Sequence, residues 1–298
     1  MKKRDAFSGL HPAVEMLFFI YVLLITMLIM HPVVLAVSFL SSFIYAVYLS
    51  GAKAVRFQLL GVLPIMLFTA ILNPIFNHAG VTTLFYMSNG NPITKEAICF
   101  GIAAAAMFAS VIVWFSCYNK VMTSDKFIYL FGRIIPALSL IISMALRFVP
   151  RFVQKIKETA NAQKCIGRDP ESGNIFKRAL CGLRILSITV TWALESAVTT
   201  ADSMKSRGYG LRGRTAYSIY KFDKRDKLML AFMIITGGLF CADILSGGVF
   251  VRYYPSIRLN SMDWMSVLGY ASFAVFCNLP MILNFTEDMV WKSLQSKI

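Results

Sequence analysis

The residues whose types and spacing point most clearly to binding chemistry are Ser206, Arg207 and Gly208. Arginine presents a planar guanidinium fork that binds a carboxylate through two parallel hydrogen bonds. A glycine beside it lets another backbone approach closely and is the usual residue just after the last turn of a helix. The pattern predicts a protein-docking site at a helix end, and it also fits an ordinary surface arginine next to a capping glycine.

Sequence motifs for catalysis and for metal binding are missing from the chain. It contains no GxxxxGK[ST] phosphate loop, no HExxH pair and no CxxC pair among its six cysteines. The three histidines (His11, His31 and His78) lie near predicted span ends or in a polar loop. We therefore expect no catalytic residue, no metal site and no cofactor in this chain.

The composition is that of a membrane protein. Hydrophobic residues make up 57% of the 298 positions and charged residues only 15%, whereas soluble domains carry about 25% charged residues. Six apolar blocks have the length needed to cross a bilayer, and they cover residues 14–30, 33–49, 57–76, 97–118, 228–245 and 264–285. The sequence predicts an all-α polytopic membrane protein with about six transmembrane helices.

The net charge of +15 is concentrated between Arg147 and Lys227. Cytoplasmic loops of membrane proteins are enriched in lysine and arginine, so this charge predicts a cytoplasmic segment and not a nucleic-acid-binding surface. With six crossings, both termini also lie in the cytoplasm. The segment 127–149 would break this arrangement if it crossed fully, and Arg133 and Pro136 interrupt it. We expect it to form a buried or re-entrant helix.

Two amphipathic helices are predicted inside the basic segment. The first covers about Arg151 to Cys165, and Gly167 follows it. The second carries apolar residues at spacings of three or four, which indicate a seam for a packed partner: Leu183, Leu186, Val190, Ala193, Ala197, Ala201 and Met204. The predicted organisation is an N-terminal transmembrane bundle (1–149), a cytoplasmic helix pair (150–226) and a C-terminal transmembrane pair (227–298).

Several short motifs occur in one order along most of the chain. They are His11-Pro12, Asn73-Pro74, Thr94-Lys95-Glu96, Arg147-Phe148-Val149-Pro150, Ala162-Gln163, Ser206-Arg207-Gly208 and Arg214-Thr215. With a basic helix pair between the membrane blocks, the chain resembles the transmembrane (T) component of energy-coupling factor (ECF) transporters, the family of the cobalt-transport transmembrane protein.

The resemblance implies a non-catalytic subunit of an ATP-driven importer of a vitamin, metal ion or other micronutrient in a prokaryotic cell membrane. Its partners would be two cytoplasmic ABC-type ATPases, which bind the ATP, and a substrate-binding membrane subunit (the S component). In this family two cytoplasmic coupling helices each end in an Ala-Arg-Gly-like motif that docks on one ATPase.

The two docking motifs implied by the resemblance differ in this chain. The second is Ser206-Arg207-Gly208, which keeps the arginine. The first, after Ala162 and Gln163, is Cys165-Ile166-Gly167, which has none. Lys164 or Arg168 would supply the missing charge, or an apolar pocket would receive Ile166. Residues implied to support the docking motifs are Arg147, Pro150 and Arg214.

Three other functions are compatible with a basic membrane chain. A stand-alone secondary transporter would carry functional ionisable residues within its spans, where Glu15 and Arg133 are the ones we identify. An integral membrane enzyme would need a polar catalytic cluster near a span end. A membrane-anchored nucleic-acid binder would bind DNA or RNA in a salt-sensitive way. The coupling subunit is the function we predict.

Overall fold

The computed structural model describes residues 5–86, 90–134, 136–168, 174–211, 220–260 and 263–295, with their side chains except those of 133–139. Ten α-helices are found in these ranges. They are α1 (Pro12–Leu28), α2 (Pro32–Ser50), α3 (Ala52–Phe57), α4 (Leu63–Phe76), α5 (Lys95–Val121), α6 (Ser124–Ile134), α7 (Pro136–Cys165), α8 (Ile175–Ser206), α9 (Lys224–Leu245) and α10 (Trp264–Gln295). A π-helical stretch, Gln58–Val62, joins α3 to α4.

The connections between helices hold two small antiparallel hairpins. Strands β1 (Thr83–Tyr86) and β2 (Pro92–Thr94) pair between α4 and α5. Strands β3 (Val251–Arg252) and β4 (Arg258–Leu259) pair between α9 and α10. The sequence indicated only polar loops in these places, because strands of two to four residues are too short to show an alternating pattern.

The chain divides into two compact units. The first holds the residues up to Lys126 and those from Tyr220 onward, and the second is Phe127–Ile219. The boundaries predicted at 149/150 and 226/227 fall inside the continuous helices α7 and α9. The predicted boundaries coincide with changes in charge density, because a helix can pass from an apolar to a charged stretch without a break.

The core of the first unit is aromatic. Phe18 of α1 stacks on Phe276 of α10 with ring centroids 5.3 Å apart, and its edge meets Trp114 of α5 at 5.8 Å. All three side chains are fully buried. Offset and edge-to-face aromatic pairs add to the stabilisation from burial, so these rings hold three helices together that are distant in sequence.

The outer surface of this unit is apolar. On α4, for example, Leu67 and Phe68 are 54% and 65% exposed. Six described helices are long and apolar enough to cross a membrane by length and composition: 32–50, the continuous run 52–76, α5, α8, α9 and α10. The prediction of an all-α polytopic membrane protein is confirmed.

The six helices that meet the criterion differ in one member from the six spans predicted from the sequence. The first predicted span is α1, which has 17 residues and falls below the length of the other six, although spans of about 17 residues do occur. Instead α8 meets the criterion of length and hydropathy, and we predicted that helix to be cytoplasmic. Its hydropathy is high because one face carries leucines and valines from Leu180 to Val198.

The second unit is built on α7 and α8. The helix predicted to begin at Arg151 is wrong at its start and right at its end, because α7 runs unbroken from Pro136 to Cys165 with Pro150 inside it. The side chains of 140–149 are exposed or half-buried in this chain, with Ile141 at 62% and Val149 at 53%. Among the described residues of this unit nothing buries these side chains, and the buried or re-entrant placement of 127–149 stays a prediction.

Candidate functional site

The end of α8 forms a complete Schellman cap. The amide of Gly208 donates to the carbonyl of Lys205 at 3.0 Å, and the amide of Tyr209 donates to that of Met204 at 3.0 Å. Gly208 has a φ of +81°, in the left-handed region where a glycine avoids a steric penalty. Arg207 is the cap residue itself, so the predicted helix end at Gly208 is confirmed.

The end of α7 has the same backbone arrangement. The amide of Gly167 donates to the carbonyl of Lys164 at 3.0 Å, and the amide of Arg168 donates to that of Gln163 at 2.9 Å. Gly167 has a φ of +78°. Ile166 therefore occupies the same position in its cap as Arg207 occupies in the other. We call these two helix ends, Cys165–Gly167 and Ser206–Gly208, the Ile166 cap and the Arg207 cap.

Both caps present their central side chain to solvent. Ile166 is 67% exposed, and Arg207 is also exposed. Ile166 buries little of its apolar surface against its own chain. Burial of that surface against a partner would be favourable. The arginine can offer its fork to a carboxylate. The two caps thus have one backbone shape and two different chemistries at the tip.

The helices α7 and α8 run antiparallel along each other. The ring of Phe152 on α7 packs edge-on against Trp192 on α8 with centroids 5.8 Å apart. Nearer the connection, the thiol of Cys181 donates to the carbonyl of Arg168 at 3.4 Å. Both helices end with a cap, so the antiparallel arrangement puts the caps at opposite ends. At 1.5 Å per residue, the Arg207 cap lies about 40 Å along α8 from Cys181.

One face of each helix makes the contact between them. The buried or half-buried residues of this face include Phe148, Phe152, Lys155, Thr159 and Gln163 on α7 and Cys181, Ile185, Thr189, Trp192 and Ser196 on α8. The ammonium of Lys155 also lies 5.6 Å from the centre of the Trp192 ring, a cation–π distance. Gln163, predicted as a docking residue, is 8% exposed and so lies away from the exposed tip of its cap.

The apolar seam predicted on α8 is not the face that packs against α7. Leu183 and Leu186 are 64% and 55% exposed, and Val190 is 48% exposed. The neighbouring face, with Cys181 and Ile185, makes the contact instead. Both faces carry small or apolar residues at helical spacing, so the sequence could not decide between them. The predicted seam remains as an uncovered apolar face of this unit.

The supporting residues predicted around the caps are spread along the two helices. Arg147 and Pro150 lie on exposed positions of α7, more than a dozen residues before the Ile166 cap. Ala162, Lys164 and Arg168 are exposed around it, and Lys164 has an interaction of its own in the structure. Ser206 donates its hydroxyl to the carbonyl of Ser203 at 2.9 Å. Arg214 lies outside the described residues.

The chain matches the family model described as cobalt transport protein (CbiQ) over residues 4–217, which is more than two thirds of its length. It belongs to this family. Family membership confirms the resemblance carried by the ordered motifs along the chain, and the matched region contains both caps. The transmembrane helices after Lys224 lie beyond the matched region.

Curated relatives agree with the family. The chain is similar to proteins named "Energy-coupling factor transporter transmembrane protein EcfT". It is 39% identical to that of Lactobacillus helveticus over 103 residues, covering 34% of this chain and only 37% of the relative. It is 28% identical to the Lacticaseibacillus paracasei protein over 66% of this chain and 78% of the relative. It is 26% identical to the Streptococcus equi protein over 73% of this chain and 82% of the relative.

Sequence reasoning missed the partner of Glu15 in this family member. The ammonium of Lys126 lies 2.7 and 2.8 Å from the two carboxylate oxygens of Glu15, and it also donates to the carbonyl of Ser8 at 2.6 Å. Glu15 is fully buried, and Lys126 is 7% exposed. A buried pair of this kind with extra hydrogen bonds is costly to break on one side. The two residues are 111 positions apart, so no local pattern joins them.

The N-terminal segment is tied to the last two helices by further polar contacts. Asn284 of α10 accepts from the amide of Ala6 at 2.6 Å, and Asp226 of α9 accepts from the amide of His11 at 2.9 Å. Arg225 pairs with Glu287 at 2.5 Å. Burial lowers the pKa of His11, and the charge of Asp226 acts in the opposite direction. These contacts hold the segment before α1 against the ends of α9 and α10.

A second buried carboxylate, Asp243 near the end of α9, was also missed. It is 3% exposed, and neither of its carboxylate oxygens has a hydrogen-bond partner among the described residues. A Cβ atom on Gly248 or Gly269 would lie 2.0 Å from one of those oxygens, so both glycines are needed to make room for it. The apolar blocks therefore hold an ionisable residue besides Glu15 and Arg133, and the prediction that they hold only those two is wrong.

Asp243 has a polar neighbourhood. The Tyr270 hydroxyl lies 3.2 Å from Nε2 of His31 and donates to the carbonyl of Gly248 at 3.3 Å. The rings of His31 and Tyr270 stack with centroids 5.1 Å apart, and burial lowers the pKa of His31. The described residues hold no group of three or more His, Cys, Asp or Glu side chains that could bind a metal ion.

Proposed function

We propose that this chain is the transmembrane coupling subunit of an ATP-driven ECF-type importer of a micronutrient such as a vitamin or metal ion. It transmits the movements of two cytoplasmic ABC-type ATPases to a substrate-binding membrane subunit. The chain itself is non-catalytic and binds no cofactor, because the ATP belongs to its partners. It lies in a prokaryotic cell membrane with both termini in the cytoplasm.

The observation that carries this proposal is the pair of capped helix ends. Two copies of one backbone motif, each with a single exposed side chain at its centre, suit two related grooves on two related ATPases. Their placement at opposite ends of an antiparallel hairpin separates the two grooves by tens of ångströms. Long helices that move as units can transmit a displacement over that distance.

The chemistry of each cap fits a docking anchor. Interfaces draw most of their binding free energy from a few central residues, among which arginine is enriched. Arg207 is such a residue if its groove offers a carboxylate, because the paired hydrogen bonds fix its orientation. Ile166 needs an apolar pocket instead. The exposed seam from Leu183 to Val190 offers further apolar surface to a partner.

Co-purification tests the proposal directly. The tagged chain is expressed with the host's ATPases and the S component and purified in a mild detergent, as wild type, Arg207→Ala and Ile166→Asp. Arg151→Ala is the matched control, because Arg151 is an exposed arginine of α7 beside the Phe152–Trp192 contact, about 20 Å of helix from each cap. We expect the wild type and the control to retain the ATPases and Arg207→Ala to lose them. Retention by all four forms would refute docking at the caps.

A stand-alone secondary transporter is the second candidate, and Asp243 is the observation that favours it. A buried carboxylate inside an apolar helix is the kind of group that ion-coupled transporters use. Reconstitution of the purified chain alone in vesicles separates the two functions. Uptake that is driven by an ion gradient without ATPases, and abolished by Asp243→Asn, would support the secondary transporter. Uptake that requires ATP and the ATPases supports the coupling subunit.

A further inference from the structure

A cavity lies where α2, α3 and α5 meet at one end of the transmembrane unit. Its volume is about 220 Å³, far more than the roughly 10–15 Å³ that one water molecule needs by the same measure. The cavity is bounded by the last turn of α2, the start of the α3–α4 run and the last turns of α5. It therefore opens at the level where these helices leave the bilayer.

The polar side of this cavity is basic. Lys53, the second residue of α3, and Lys120, the last but one of α5, both line it and are exposed. Ser50 and Ser116 add hydroxyl groups to the same wall. Among the residues that line it there is no Asp or Glu. Two ammonium groups without a lining carboxylate favour an anion.

Gln58 gives a second, independent indication of a ligand. It lines the cavity and is only 6% exposed, and neither atom of its side-chain amide has a hydrogen-bond partner among the described residues. A buried polar group without a partner is costly, so such groups are normally satisfied by a bound molecule or water. Gln58 also begins the π-helical stretch, a feature that is frequent at functional sites.

The other side of the cavity is apolar and continues along the helices. A neighbouring cavity of about 440 Å³ shares Phe57, Ser116 and Lys120 with the first and adds Ile112, Phe115 and, beside Lys120, Asn119. Phe57 and Phe115 are 48% and 47% exposed. This surface runs from the lysines toward the middle of α5. It offers an apolar track directly below a basic, hydroxyl-lined pocket.

We propose that this site binds an anionic phospholipid. Lys53 and Lys120 hold the phosphate, the Gln58 amide donates to a headgroup oxygen, and an acyl chain lies along Phe57 and Phe115. Basic pockets between transmembrane helices are known to suit acidic lipid headgroups. A soluble anion would use the lysines but would leave the apolar track uncovered, and this favours the lipid over free phosphate. The proposal goes beyond energy coupling and does not depend on it.

Native mass spectrometry of the full-length chain from detergent tests this site. Dioleoylphosphatidylglycerol is compared with dioleoylphosphatidylcholine, which has the same acyl chains and no net charge, and inorganic phosphate in large excess is added as a competitor. Each lysine near a membrane surface contributes about fivefold to the binding of an acidic lipid. We expect the wild type to bind the anionic lipid at least about tenfold more tightly than the zwitterionic one.

The variants separate this pocket from general surface charge. Lys53→Gln with Lys120→Gln is compared with Arg56→Gln and Lys95→Gln, which removes the same charge from residues that do not line the cavity. We expect the first pair to lose roughly tenfold or more in affinity for the anionic lipid, and the control pair to lose less than about threefold. Gln58→Leu, which leaves every charge in place, should lose at least about threefold.

Three outcomes would overturn the proposal. Equal binding of the two lipids by the wild type would exclude recognition of the phosphate charge. Equal losses in the two double variants would assign the effect to surface charge in general. Displacement of the lipid by inorganic phosphate would assign the pocket to a soluble anion. Far-ultraviolet circular dichroism and gel filtration of each variant show that it is folded before its affinity is compared.

Discussion

The Ile166 cap and the Arg207 cap are two copies of one backbone structure that differ in their central side chain. Both have a glycine at a φ near +80° and the same pair of capping hydrogen bonds. One presents an aliphatic side chain and the other a guanidinium group. The two helix ends therefore share one backbone shape, while the chemistry that each end presents is set by one residue.

This difference has a consequence for the two proposed ATPase joints. The Arg207 joint can be held by a charge-assisted pair, which is short and directional. The Ile166 joint depends on burial of an aliphatic side chain, which is favourable but not directional. We therefore expect the two joints to differ in their response to salt and to mutation, with the Arg207 joint the stronger of the two.

Removal of the arginine should have the largest effect. Truncation of a central arginine at an interface typically costs about 2 kcal/mol or more, so Arg207→Ala should weaken ATPase binding by roughly thirtyfold. Microscale thermophoresis with a labelled ATPase measures the change in affinity. Arg151→Ala should leave the affinity within about twofold, and an equal loss in this control would mean that net charge, not the cap, is recognised.

Introduction of a negative charge at the other cap should have the next largest effect. Ile166→Asp would place a carboxylate in an apolar pocket and at the negative end of the α7 dipole, and we expect about a tenfold loss of affinity. Ile166→Leu keeps the volume and should change it by less than about threefold. Tolerance of the aspartate would show that this cap is not a docking site.

Ionic strength should separate the two joints in the wild-type complex. An exposed charge pair weakens as salt screens it, whereas burial of an aliphatic side chain does not. A salt titration of ATPase binding should therefore become flatter in Arg207→Ala than in Ile166→Leu. Identical slopes in the two variants would contradict the assignment of one polar and one apolar joint.

Alanine at either capping glycine should destabilise the helix end, with a smaller effect than the changes at the cap tips. A left-handed conformation costs a residue with a Cβ about 1–2 kcal/mol, so Gly167→Ala and Gly208→Ala should each destabilise the last helical turn by this amount. Hydrogen exchange of the last-turn amides measures it. Gly208→Ala should be the more disruptive, because its Cβ would also lie 3.2 Å from Leu211, whereas nothing lies within 4 Å at Gly167.

Loss of the Lys155–Trp192 contact should have the smallest effect, a modest loss of stability of the second unit. Exposed cation–π pairs contribute about 0.5–1 kcal/mol, so Lys155→Met should lower the free energy of unfolding of the second unit by that amount. Chemical denaturation followed by Trp192 fluorescence, with the other tryptophans replaced, measures it. A change of more than about 2 kcal/mol would mean that Lys155 has a further role.

Much of the membrane architecture could be predicted from the sequence. Apolar blocks of the right length lie where α2, α4, α5, α9 and α10 are found, because the bilayer imposes a length on any span. The ends of α7 and α8 were predictable for a different reason. A glycine after an amphipathic run is a local signal, and it requires no knowledge of the rest of the fold.

The features that the sequence did not predict depend on distant contacts. Lys126 reaches Glu15 across 111 positions, and the room for Asp243 is created by Gly248 and Gly269 on other segments. The face of α8 that packs against α7 could not be chosen either, because two neighbouring faces were suitable. Helical spacing shows that a face can pack, but only the partner decides which face does.

Photo-crosslinking from the two cap positions tests the central claim most directly. Benzoylphenylalanine is placed at position 166 or 207 of the full-length chain in the assembled complex, with position 151 as the control, and the crosslinked partners are identified by mass spectrometry. We predict that each cap position crosslinks to an ATPase, that the two caps reach different ATPase copies, and that the control does not crosslink. Crosslinks from both caps to lipid alone, or to a single ATPase copy, would contradict the account.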